Sequence, residues 1–406
     1  MLARQNGSRQ WTVLGFAVMG LTLATTVLAF YLPIILNNLT ASKVAIGFAG
    51  SIEGFAALAI PLLVGPASDR TWTRFGRRLP YMLAATPLIF IGLLAISILN
   101  SYWLIIAAVG IFFTGYYVYY TAYQALYPDT LPKNEYGRAW AYQSLFQGLA
   151  VGLALLGGGA LLNISLGAPF LISAFFFVLI ALASYFLISE DRLHSHPIDA
   201  SLKKAVPNFI TRIREDRNLR LFLPAHFFWE FTLAAVRAFV ILYLLRGLGV
   251  TLGQLLPILA VIIFCYLIAA FISGQIIDKH DPRRYTSLMI LLYAACLFVL
   301  GISTDLNVLQ GILPFGMFAG AALLMLAYPI LLRITPANRR GEYTGYYQFN
   351  RGLALIFGSV LTGAAIDLFG DYFPATSGYA VLWLTCGVAA TLSLPFYLLL
   401  TRRDAA

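Results

Sequence analysis

Twelve stretches of roughly 20 apolar residues each dominate this sequence, at 11–36, 44–64, 79–99, 102–127, 139–162, 169–188, 221–245, 253–277, 285–303, 307–332, 343–368 and 377–400. Only a lipid bilayer accommodates that pattern. In hydrocarbon each backbone amide must bond within its own segment, and about 20 residues of helix span the core. Composition agrees: the 406 residues are 60% hydrophobic and 11% charged, too little charge to cover a soluble domain. The expected class is an all-α membrane protein with twelve transmembrane helices. The first run exceeds a signal-peptide core and eleven more follow, so it reads as a retained span.

The net charge of +10 suggests nucleic acid only until the charges are placed. With both termini and the even-numbered connections on the cytoplasmic side, all but four of the 27 Lys and Arg fall there. Lys43 and Arg246 face outward, and Arg237 and Arg351 lie inside spans. This is the positive-inside asymmetry, so the excess sets topology, with anionic headgroups as its contact and no nucleic-acid partner. Cys265, Cys296 and Cys386 all fall in apolar runs and read as small packing residues.

The two halves repeat. Gly65-Pro-Ala-Ser-Asp-Arg-Thr-Trp-Thr-Arg-Phe-Gly-Arg-Arg78 joins the second and third runs, and Gly274-Gln-Ile-Ile-Asp-Lys-His-Asp-Pro-Arg-Arg284 joins the eighth and ninth. Each has Gly, three residues, Asp, a base and a closing basic pair: a tight link, fixed by glycine, whose arginines can cap a neighbouring helix end. A second pair aligns without gaps, Gly137-Arg-Ala-Trp-Ala-Tyr-Gln-Ser-Leu-Phe-Gln-Gly-Leu-Ala150 on Gly341-Glu-Tyr-Thr-Gly-Tyr-Tyr-Gln-Phe-Asn-Arg-Gly-Leu-Ala354. The chain therefore divides into a six-helix half at 1–188, a basic cytoplasmic linker at 189–220 and a second six-helix half at 221–406. Repeated halves around a midplane site are a transporter architecture.

The paired loops, the twelve spans and the half-chain repeat resemble the major facilitator superfamily over the whole chain. Ser-Asp-Arg-Thr-Trp-Thr-Arg-Phe-Gly-Arg-Arg-Leu-Pro-Tyr at 68–81, and Tyr123-Gln-Ala-Leu-Tyr-Pro-Asp129 followed by Gly137-Arg138, resemble the glycoside–pentoside–hexuronide cation symporters, particularly their sucrose-transporter-like branch. The resemblance implies two pseudo-symmetric six-helix halves and alternating access. It implies a cytoplasmic latch in which Asp69 and Arg70 take part, and a gating role is expected for Arg74, Arg77 and Arg78 and, in the second loop, Asp278 and Arg283. A loop serving only as an orientation signal is the alternative. It also implies that spans two and eleven pack together and that spans one, four, seven and ten line the cavity.

Ionisable groups within spans are functional candidates, because each costs roughly 2.5–3.5 kcal/mol on insertion scales. Glu53 lies nine residues into the second span, about 13 Å deep. Arg351 is at a comparable depth in the eleventh, so a Glu53–Arg351 ion pair is expected, either a gate that breaks as the halves rock or a static bridge. His226, Glu230 and Arg237 share one face of the seventh span through steps of four and seven. Glu230, Glu53 and His226 are candidates for proton coupling, and His226 could instead be an interfacial residue. Arg237 is a candidate for binding an anionic or hydroxyl-rich solute. Tyr116, Tyr120, Tyr123 and Tyr127 form a stripe on the fourth span with Gln124 beside it, suited to stacking on a sugar ring, to amphipathic solutes or to interhelix packing. Gln143, Gln147, Gln348 and Asn350 read as cavity groups or interhelix hydrogen bonds. Asp129, Glu135, Asp367 and Asp371, near span ends, read as caps or loop charges.

The sodium-coupled sugar carriers of that family cluster aspartates in spans one, two and four. Here the first span has no ionisable residue and the second has only Glu53, which disfavours Na⁺. No metal-ligand spacing, phosphate loop or nucleophile elbow occurs, so neither an enzyme, a cofactor nor ATP drive is expected. The expectation is a monomeric multi-pass protein of the plasma (inner) membrane, carrying a sugar or glycoside with protons. Export or flipping of an amphipathic drug or lipid is the alternative, as is a non-transporting assembly factor of the same fold.

Overall fold

The computed structural model describes residues 7–71, 73, 76–130, 136–188, 214–279, 282–335 and 340–400. Among them twelve long helices follow one another: α1 Gly7–Leu39, α2 Lys43–Arg70, α3 Leu79–Ile98, α4 Tyr102–Thr130, α5 Tyr136–Gly152, α6 Ala168–Leu187, α7 Arg217–Leu242, α8 Leu252–Lys279, α9 Pro282–Ile302, α10 Leu306–Ile334, α11 Arg340–Phe369 and α12 Val381–Leu398. Among the described residues, eleven helices are long and apolar enough to cross a membrane. The remaining one, α8, has 28 residues with an apolar stretch at Ala260–Ala269. The twelve runs read in the sequence are these twelve helices.

The chain forms two compact units, Met1–Leu39 with Ala56–Ala200, and Thr40–Phe55 with Ser201–Ala406. Nearly half of α2, from its start to Phe55, therefore belongs with the second unit.

In the first unit α3 packs along α4, and α1 packs on α5 and α6. α5 ends in a π-turn at Leu153–Gly157, a wider turn that leaves carbonyls unmatched. The buried Tyr31 hydroxyl of α1 takes up one of them, donating to the Leu155 carbonyl at 2.6 Å. Gly158 leaves room for that ring, since a Cβ there would collide with it. The link from α2 to α3 is as tight as its glycine implied. Thr73 and Gly76 exchange backbone bonds at 3.2 and 3.1 Å, with Gly76 at φ +100°, where an L side chain is strained. Arg78 is buried and donates to Ser68 Oγ.

In the second unit α7 packs on α11 and α12, α9 on α10 and α12, and α8 on α10. α7 starts at Arg217, ahead of the apolar run, because Asp216 caps it. The Asp216 carboxylate accepts from the Asn218 and Leu219 amides at 3.0 and 3.2 Å, two donors that a helix start leaves unbonded. The Tyr343 hydroxyl of α11 donates to the same carboxylate and fixes where α11 meets α7. Arg283, from the second copy of the basic loop, donates to the Leu398 carbonyl and closes the end of α12.

The start of α2 is held by α11 in the same way. Asp367 accepts from the Lys43 and Val44 amides, both at 2.9 Å, and from Ser42 Oγ at 3.1 Å. A side chain near the end of one helix thus caps the start of another, placing negative charge where the α2 dipole is positive. Below the cap the backbones nearly touch: a Cβ on Gly47 would strike the Ser359 carbonyl, and one on Gly54 would lie 2.6 Å from the Gly352 carbonyl. Small residues permit this approach. Lys43 Nζ sits 5.0 Å from the centre of the Tyr379 ring. Burial pushes the Tyr379 hydroxyl up to about 12, with Arg246 opposing and Asp367 adding to the shift. The ring therefore stays a neutral phenol beside that ammonium.

Removing the cap tests this packing. Asp367→Ala should destabilise the protein by about 0.5–2 kcal/mol, as loss of an N-cap does, with Asp367→Asn costing less. Unfolding in mixed micelles reads the difference, and an unchanged midpoint for Asp367→Ala would contradict the assignment.

Candidate functional site

α7 carries His226, Glu230 and Arg237 through the middle of its apolar run, and two neighbours set its rotation. Trp229 Nε1 donates to Ser393 Oγ of α12 at 3.0 Å, and Tyr293 of α9 donates to Thr232 Oγ1 at 3.2 Å. Those bonds leave the His226–Glu230 face toward α11.

There Glu230 has two partners. Its Oε2 lies 3.5 Å from Arg351 Nε of α11, and its Oε1 lies 3.5 Å from His226 Nε2. These are ionic approaches longer than a formed hydrogen bond. Glu230 Oε2 and His226 Nε2 are buried and complete no hydrogen bond. The carboxylate is therefore held by charge while part of its bonding capacity stays unused.

Arg237, two turns further along α7, pairs with Glu53 of α2 at 3.3 Å. This corrects the expected Glu53–Arg351 pair: Glu53 meets Arg237, and Arg351 meets Glu230. Depth along the spans was matched correctly, but depth does not decide which neighbour a helix presents. Gly50, one turn before Glu53, sits in the α7–α11 junction, with its Cβ position 3.2 Å from the Ser359 Cβ and 3.9 Å from the Ala238 Cβ. That contact turns Glu53 toward α7 and the residue beside Ala238. The expected α2–α11 packing is present.

His226 is wholly buried rather than interfacial. Its ring stacks on Phe222 at 5.6 Å and on Tyr347 at 4.1 Å. Asn350 fixes the tautomer. Its Nδ2 donates to the Leu223 carbonyl at 3.0 Å, which settles the amide orientation, and the same Nδ2 lies 3.0 Å from His226 Nδ1. An amide nitrogen is a donor, so Nδ1 accepts and the ring proton resides on Nε2, facing Glu230. Asn350 is thus an interhelix hydrogen-bond residue that also orients the imidazole. Tyr347 escaped the sequence reading, although it lies within the repeated segment at 341–354.

In the first unit Tyr116 and Tyr120 stack at 5.5 Å and 16°. Gln124 is exposed and donates from Nε2 to the Tyr120 hydroxyl at 2.6 Å. Tyr123 is fully buried, and its hydroxyl donates to the Leu14 carbonyl of α1 at 2.8 Å, which ties two helices together. Gln143 is also buried, with Oε1 unbonded, and Gln147 is half-buried. Of the loop residues, Arg77 is half-buried, while Arg74 and the side chains of Asp69, Arg70, Tyr127 and Asp278 lie outside the described residues. The three cysteines are buried free thiols, and among the described residues no group of three His, Cys, Asp or Glu could hold a metal ion.

The sequence model described as Major Facilitator Superfamily matches residues 14–303 and 238–406. No curated protein matches the chain. Similar solved structures include a bacterial homolog of the human lysosomal transporter Spinster in an inward-facing, unoccupied conformation. It is 15% identical, with a TM-score of 0.79, over 98% of this chain and 99% of that one. The nucleoside transporter NupG is 12% identical, with a TM-score of 0.79, over 97% of this chain and 99% of its own. At such identities the likeness is one of fold.

The pairing can be tested by double-mutant cycles in micellar unfolding. Glu53→Gln with Arg237→Gln should show a coupling of about 0.5–3 kcal/mol, the range for residues in contact. Glu53→Gln with Arg351→Gln should be close to additive. The reverse pattern would restore the pair expected from depth alone.

Proposed function

This chain belongs to the Major Facilitator Superfamily, and we propose that it is a secondary transporter moving a sugar or glycoside with protons by alternating access. One observation carries the reading. Glu230, inside a membrane helix, is held between a guanidinium and an imidazole and keeps an unbonded oxygen. A carboxylate in such a place is maintained against the cost of burial by Arg351. A proton on Glu230 cancels that attraction and weakens the hold on Arg351, so occupancy by a proton changes the contact between α7 and α11. Both helices belong to the second half, so the proton acts by changing how that half presents Arg351.

The solute side rests on α4. The Tyr116–Tyr120 stack offers flat apolar faces, and Gln124 supplies an amide beside it, as a sugar ring requires. The same stack would suit an amphipathic solute, which keeps export as the competing reading. The two bodies that rock are the halves 1–188 and 221–406 joined by the linker at 189–220. The basic loops carrying Asp69, Arg70, Arg74, Arg77, Arg78, Asp278 and Arg283 serve as gate contacts. Arg283 and Arg78 already bond helix ends or neighbouring side chains, which supports that part. The positive-inside distribution supports cytoplasmic termini, and the proposed form is a monomer in the inner membrane.

Uptake into proteoliposomes tests the reading, with labelled mono- and disaccharides and an imposed pH gradient. Accumulation should follow the gradient and fall at least about tenfold in Glu230→Gln, the loss expected when about 1.4 kcal/mol of coupling disappears. Equilibration that ignores the gradient would remove the proton. Absence of any sugar flux from folded protein would remove the sugar and favour amphipathic export.

A further inference from the structure

The four side chains of the two ion pairs, Glu53 with Arg237 and Glu230 with Arg351, are not equally covered. The carboxylates are the sheltered partners, with side-chain exposures of 5% for Glu230 and 12% for Glu53, while Arg351 keeps 34% and Arg237 keeps 23%. A partly exposed guanidinium in a membrane helix faces water, because a charge facing lipid is costly. A solute reaching this cluster through water meets positive charge first and the carboxylates only behind it. Guanidinium presents a planar fork of donors that matches an oxyanion better than a neutral hydroxyl.

The two carboxylates of Glu53 and Glu230 are matched in number by the two guanidiniums of Arg237 and Arg351. A bound anion would leave the cluster one charge negative, and one proton would restore neutrality. Glu230 is the place for that proton. His226 already carries its proton on Nε2, and a second one on Nδ1 would confront the Asn350 amide donor, which the Leu223 carbonyl holds in place. Arg237, on the same helix, adds its positive charge to that of Arg351 and His226 at Glu230, and the other titratable groups described nearby are engaged elsewhere. Tyr293 of α9 and Cys386 of α12 both bond Thr232, and Tyr347 of α11 stacks on His226.

We propose that the transported solute bears an oxyanion, a carboxylate or a phosphate, which takes Arg351 from Glu230 as Glu230 takes a proton. For a singly charged solute the two enter together and no net charge moves. His226 is a positioning residue in this scheme, aiming its Nε2 proton at the carboxylate. The inference rests on the proton-coupled reading above and narrows its solute to an acidic one, such as a sugar acid.

Binding to the full-length protein in nanodiscs tests it without requiring transport, using gluconate, glucose 6-phosphate and glucose as probes at acidic and neutral pH. Gluconate or glucose 6-phosphate should bind at least about tenfold more tightly than glucose, an advantage of about 1.4 kcal/mol. Which of the two wins separates the carboxylate from the phosphate. Affinity for gluconate, whose charge is constant over this range, should rise on acidification in the parent protein and become independent of pH in Glu230→Gln. For glucose 6-phosphate, whose second proton titrates at about pH 6, the rise in the parent should exceed that in Glu230→Gln. Arg351→Gln should lose most of the binding and Arg351→Lys should recover part, with circular dichroism confirming that each variant is folded. Glucose binding as tightly as both acids, or no binding of either acid, overturns the proposal, as does an affinity for the acid that ignores pH in the parent. The underlying coupling is read separately: glucose accumulation driven by a pH gradient, without acid binding, would keep the proton and discard the oxyanion.

Discussion

The cost of keeping a charge in hydrocarbon governs the arrangement of the second unit. Within α7, Glu230 is faced by Arg351 from α11 and by His226, and in α2 Glu53 is faced by Arg237. Each pair joins two helices, so each charge also specifies how those helices lie. An apolar substitute of similar volume could pack as well or better in such a place. On the proton-coupled reading proposed above, retaining both pairs makes the interfaces responsive to a proton, which an apolar core would not be.

The remaining architecture holds those pairs in register. Asp216 determines where α7 begins and, through Tyr343, where α11 runs beside it. Asp367 fixes the start of α2 onto α11, and the glycines below it bring the backbones close enough for Glu53 to reach Arg237. Trp229 and Thr232 then set the rotation of α7 by bonds to α12 and α9. Capping, close packing and side-chain bonds act here at successive levels on the same few charged groups.

Much of this was legible in the sequence. Twelve apolar runs became twelve helices, since hydrocarbon leaves the backbone of such a run little choice but helix. His226, Glu230 and Arg237 were placed on one face because helical periodicity is a local property. The pairing of Glu53 was not legible, because it depends on the helix junction in which Gly50 sits and not on depth. The role of Asn350 was equally hidden: it needs the Leu223 carbonyl, far away in sequence, to fix the amide and through it the imidazole. Tyr123 belonged to a regular stripe, yet its hydroxyl is taken by the α1 backbone, which periodicity along α4 does not reveal. The aligned repeat also differs where it matters. Gln147 in the first half corresponds to Arg351 in the second, so the fold repeats while the charged cluster does not.

The central claim is that Glu230 is the group that takes the coupling proton. Infrared difference spectroscopy on the protein in membranes, between neutral and acidic pH, reports carboxyl protonation directly through its carbonyl stretch. The account predicts a carboxylic-acid band that rises on acidification, strengthens when the solute is added, and is missing in Glu230→Gln. A band that persists in Glu230→Gln and vanishes in Glu53→Gln would move the proton to the other pair and contradict the account.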